Sequence, residues 1–122
     1  MESRDRCVFC PIIYGAEEPK KETPAVTRHL LAFPADHPKV PGHMIVIPNF
    51  HEPKVSNLIQ NPELTSEFET ILRKLEDYLI NKFSASGCLV YFNDGVESEQ
   101  IISHAHLEVV PVYETGGGHA GN

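Results

Sequence analysis

Apolar residues recur at steps of three and four from Leu64 to Phe83. Leu64, Phe68, Ile71, Leu72, Leu75, Tyr78, Leu79 and Phe83 fall on one stripe, which is the period of a helix that buries a single face. Asn61 is a natural N-cap and Pro62 suits the first helical position, so a helix is predicted from about Pro62 to about Phe83. Gly87 lies a few residues beyond the stripe. The rest of the pattern is shorter. Arg28 to Phe33, His43 to Ile47, Cys88 to Phe92 and Ser103 to Val112 read as strands. Pro34 to Gly42 holds three prolines and a glycine and reads as a loop, because proline cannot donate to a ladder. Asn93-Asp-Gly95 is a tight turn. In the last strand alternation sets Ala105, Leu107 and Val109 on one face and His104, His106 and Glu108 on the other.

At 122 residues the chain fits one domain. That domain is expected over 1–115, followed by a flexible, glycine-rich tail over 116–122 in which His119 is inert. The net charge of -7 argues against an extended nucleic-acid surface, and an anionic ligand must be held by local groups against the overall field. No apolar run reaches the roughly 20 residues of a membrane span, and the N-terminus from Met1 to Arg6 is too charged for a signal peptide. A cytoplasmic protein with reduced thiols is expected. Of the three cysteines, Cys88 sits in an apolar run and reads as a small buried hydrophobe.

Cys7-Val-Phe-Cys10 has the spacing that brings two thiolates to one ion, and a structural zinc wants four ligands. Seven histidines could complete the set, and periodicity does not choose among them. A reduced, metal-free pair is the alternative. His104-Ala-His106 places two imidazoles roughly 7 Å apart along a strand, and a neutral imidazole can act as a nucleophile. With Glu108 two residues further, three polar groups share a face and must be satisfied by each other, a metal or a ligand. A two-histidine, one-carboxylate iron site is a further possibility, although alternation would spread those ligands over roughly 13 Å.

Five separated blocks, Cys7-x-x-Cys10, Pro41-Gly42-His43-x-x-Val46-Ile47-Pro48-x-x-His51, Asn93-x-Gly95, Gln100 and His104-Ala-His106-Leu-Glu108-Val-Val, resemble the histidine triad (HIT) family in order and spacing. The resemblance implies an α+β fold: an antiparallel sheet of about five strands, one long helix and a short N-terminal helix, assembled as a homodimer. It implies a nucleotide phosphoramidate or dinucleotide hydrolase, or a nucleotidyl transferase. His106 would attack the α-phosphorus and carry the nucleotide covalently, with its tautomer fixed by the carbonyl of His104. Zinc would be held by Cys7, Cys10, His51 and His104. Asn93 and Gln100 match positions that contact phosphate or leaving group, and His43 supports the histidine cluster. Val8, Phe9, Ile12 and Phe33 match an apolar purine slot. This chain differs from the pattern in three places. Glu108 stands for the third histidine, Ala35 for the ribose-binding aspartate with Asp36 one place late, and Glu99-Gln100-Ile101 for the phosphate loop. Those acidic changes favour the alternative of a catalytically weakened nucleotide-binding or scaffold protein; the intact His106, Asn93 and Gln100 favour an enzyme.

Overall fold

The computed structural model describes residues 23–92 and 104–114. Their elements are β1 (Ala25–Val26), β2 (Leu30–Pro34), β3 (Met44–Pro48), α1 (Val55–Ile59), α2 (Pro62–Phe83), β4 (Gly87–Tyr91) and β5 (Leu107–Val112). The strands form one antiparallel sheet in the order β1-β2-β3-β5-β4. The fold is α+β, as expected. The expected N-terminal helix, the Asn93–Gly95 turn and the tail over 116–122 lie outside the described residues.

Helix α2 has the predicted bounds. The Asn61 side chain accepts a hydrogen bond from the Glu63 N–H at 3.0 Å, and Pro62 opens the first turn. Glu63 at the start and Lys82 at the end complement the helix dipole. The helix stops at Ser84, which takes the left-handed conformation at φ 61°. Gly87 is instead the first residue of β4. Two short elements, β1 and α1, were absent from the sequence reading. They span two and five residues, too few for a period to register.

The helix covers one face of the sheet. Ala32, Met44, Val46, Leu107 and Val109 alternate onto that face and pack with Leu64, Ile71, Leu75 and Leu79. Register fixes the opposite face as well. Phe33 pairs with Ile45, Ile45 with Glu108, and Glu108 with Tyr91. Residues directly opposite in antiparallel strands point the same way, so Phe33, Ile45, Glu108 and Tyr91 make a row across the face turned away from α2. Among the described residues no helix is long and apolar enough to cross a membrane.

Strand β5 starts at Leu107, not at Ser103 as its alternation predicted. The physical reason is Pro48. Continuing the β3–β5 register beyond Val46 and Leu107 would set Pro48 opposite Ala105, and proline has no N–H to donate. Ala105 donates its own N–H to the carbonyl of Glu52 instead. His104 to His106 therefore precede the sheet, held by other contacts.

Candidate active site

Backbone geometry at the start of β3 places His43. Gly42 just before it has φ +90°, and a Cβ there would come within 3.1 Å of Leu79 Cδ2 and 3.2 Å of Pro111 Cγ. Glycine meets both demands. The adjacent carbonyl of Pro41 accepts from the Tyr113 hydroxyl at 2.6 Å. His43 is buried. Its Nδ1 accepts from the Lys39 N–H at 3.0 Å, so Nε2 carries the ring proton and donates to Glu108 Oε1 at 2.6 Å.

The other oxygen of Glu108 faces His106. Glu108 Oε2 lies 3.4 Å from His106 Nε2. His106 Nδ1 donates to the backbone carbonyl of His104 at 3.0 Å, and that bond directs Nε2 toward Glu108. Contact with His106, joined by the bond from His43, holds the Glu108 carboxyl below the usual carboxylate range, against burial that pushes it up. The carboxylate is thus ionised at neutral pH. Side chains of His106 and Glu108 keep 13% and 20% of their surface exposed, so a ligand can reach both.

His104 does something different. Its ring is fully buried, and Nε2 donates to the Pro48 carbonyl at 3.2 Å. Burial is the main cause that lowers its pKa to about 4, so the ring is neutral and Nδ1 bears the lone pair. A metal ligand needs both properties, and a carbonyl partner on the other ring nitrogen is the usual outer support for one. The His51 ring packs against it edge to face, centroids 5.3 Å apart. The two described members of the expected zinc set are therefore neighbours of suitable chemistry; Cys7 and Cys10 lie outside the described residues.

Other expected site residues divide in the same way. Phe33 stands in the cross-sheet row with Glu108. Ala35 is buried and donates its N–H to the His43 carbonyl at 2.9 Å, whereas Asp36 is exposed on the loop. Val8, Phe9, Ile12, Asn93 and Gln100 lie outside the described residues. The iron arrangement does not form. His104 turns to Pro48 and His51 while Glu108 turns to His43 and His106, and among the described residues no three His, Cys, Asp or Glu converge on a metal position. Ile45 and Tyr91, which the sequence reading passed over, stand opposite Glu108, and Lys39, passed over as well, reaches Tyr91. Lys39 Nζ donates to the Tyr91 hydroxyl at 2.5 Å.

A family model described as HIT domain matches residues 19–115. An asymmetrical bis(5′-nucleosyl)-tetraphosphatase of Schizosaccharomyces pombe is 35% identical over 85 residues, 70% of this chain and 46% of that one. The chain thus spans less than half of that relative. An adenosine 5′-monophosphoramidase of Candida albicans is 27% identical, with 91% of this chain and 73% of that protein covered. Among solved structures, a HIT family protein from Bacillus anthracis superposes with a TM-score of 0.76 at 28% identity, covering 91% of this chain and 76% of that one.

Proposed function

The chain belongs to the HIT family, and from that premise we propose that it hydrolyses or transfers the nucleotidyl group of a nucleotide phosphoramidate or dinucleotide, with His106 as nucleophile. One observation carries this reading: the 3.0 Å bond from His106 Nδ1 to the His104 carbonyl, which sets the ring's tautomer and puts the lone pair on Nε2. The activities for which the two nucleotide-hydrolysing relatives are named support the substrate class.

In the first step a bond forms between His106 Nε2 and the α-phosphorus as the bond to the leaving group breaks. A leaving amine takes up a proton from solvent; a leaving phosphate needs none. Water then adds to phosphorus, the phosphorus–Nε2 bond breaks, and a nucleoside monophosphate and a proton are released. Splitting the displacement lowers one high barrier into two smaller ones. Asn93 and Gln100 hold phosphoryl oxygens, and Phe33 with Val8, Phe9 and Ile12 takes the purine. Zinc held by Cys7, Cys10, His51 and His104 belongs to the same proposal. When bound it supplies a structural tie between the N-terminal segment and the residues beside the nucleophile. Assembly as a homodimer is part of the proposal too.

The test is intact-mass measurement after brief exposure to an adenosine phosphoramidate. The expected result is a mass increase of one adenylyl group on the native chain and none on His106→Ala, which folds normally and has no turnover. Turnover retained in His106→Ala would remove the nucleophile from the account. The second reading, a nucleotide-binding protein with weakened catalysis, is favoured by the Glu108 carboxylate lying 3.4 Å from the nucleophilic nitrogen. It predicts nucleotide binding without adduct or turnover.

A further inference from the structure

Glu108 poses a problem that the neighbouring loop answers. A phosphoryl group approaching His106 Nε2 must come close to an ionised carboxylate, in a chain whose net charge is -7. Like charges at that range repel. Lys39 lies on the loop between β2 and β3, yet its side chain bonds to Tyr91 on β4, and β5 with Glu108 stands between β3 and β4 in the sheet. Tyr91 is the residue directly opposite Glu108. The ammonium is also placed over the Tyr91 ring, 4.9 Å from its centroid. The Tyr91 hydroxyl above all, with a contribution from the Glu108 charge, raises the Lys39 pKa, so the cation persists across the physiological range. The same residue's N–H supports His43. An exposed lysine on a loop would ordinarily sample many rotamers; this one is held on Tyr91, the residue opposite Glu108.

We infer that Lys39 is a binding residue for the phosphoryl group of the nucleotide, its ammonium positioned by Tyr91 and offsetting Glu108. The inference rests on the nucleotide reading above and adds to it the cation that the phosphate meets. Two of the ammonium's three donors remain for oxygen once Tyr91 has taken one. An ammonium also suits a mobile, fully charged ligand oxygen.

The test separates phosphate binding from nucleoside binding. Calorimetry on the full chain measures adenosine 5′-monophosphate and adenosine against wild type, Lys39→Met and Lys39→Arg. In Lys39→Met the Kd for the monophosphate is expected to rise about tenfold, the scale of one charge-assisted hydrogen bond. The Kd for adenosine should not change, and Lys39→Arg should recover most of the loss. Because the side chain is exposed, the variants should melt with wild type. Equal monophosphate affinity in wild type and Lys39→Met would overturn the inference, as would a parallel loss for adenosine, which would mark a structural role. If wild type binds neither compound, the nucleotide reading itself fails and this inference falls with it.

Discussion

His43 Nε2 and Glu108 Oε1 stand 2.6 Å apart, joining the residue before β3 to the face of β5 that carries the candidate chemistry. His43 is buried and its other nitrogen is already committed to Lys39. Deleting the carboxylate would strand a buried N–H. Glu108→Ala should therefore lose about 1–3 kcal/mol of unfolding free energy, whereas Glu108→Gln, which keeps an acceptor for His43, should lose less. Urea titration of the three proteins compares them; equal stability of Ala and Gln variants would show that the bond contributes nothing.

Helix α2 holds the sheet chiefly through four buried side chains, of which Ile71 and Leu75 have no exposed surface. Leu75→Ala should cost about 2–5 kcal/mol, the range for a buried leucine whose cavity cannot fully collapse. A loss under about 1 kcal/mol would mean that the helix repacks and that the core is looser than the contacts indicate.

A pH signature is expected at Glu67 on α2. Burial pushes its carboxyl up, but bonds from the Thr27 hydroxyl at 2.6 Å, the His29 N–H at 2.7 Å and His29 Nδ1 at 2.6 Å bring it below the usual range. A carboxyl whose folded pKa lies below its unfolded value stabilises the fold above the unfolded pKa, and that contribution fades as pH falls through the folded pKa. Glu67→Gln should be less stable than wild type by about 1–3 kcal/mol at pH 7, and the gap should narrow below about pH 4. A gap that does not change with pH would remove the charge from the explanation.

The proposed zinc gives a separate readout. Metal analysis of the purified chain should find one zinc, lost from Cys7→Ser and from His51→Ala, with a fall in Tm in each. Unchanged metal content in both variants would refute the ligand set.

Local signals were readable where chemistry and periodicity agree within a few residues. Asn61, Pro62 and the stripe to Phe83 define α2 without reference to the rest of the chain. The end of that helix at Phe83 was legible from where the stripe stops, but the residue that closes it, a left-handed Ser84, carries no such signal. His104 and His106 stood out as a pair, but the pattern alone placed them on a strand that Pro48, 56 residues earlier than His104, cuts short. Lys39 and Tyr91 were passed over for a similar reason. They are 52 residues apart, and only the interposition of β5 between β3 and β4 brings them to Glu108.

The cross-sheet row Phe33–Ile45–Glu108–Tyr91 also guards the pairing itself. Sliding β5 by one residue against β3 would turn Glu108 inward among Met44, Val46 and the leucines of α2, and expose Leu107 and Val109 to water. An ionised side chain forced into that interior is among the costlier errors a protein can make. Misalignment is thus penalised by the same carboxylate that borders His106, so a variant that neutralises it should be watched for slipped or heterogeneous sheets as well as for altered chemistry.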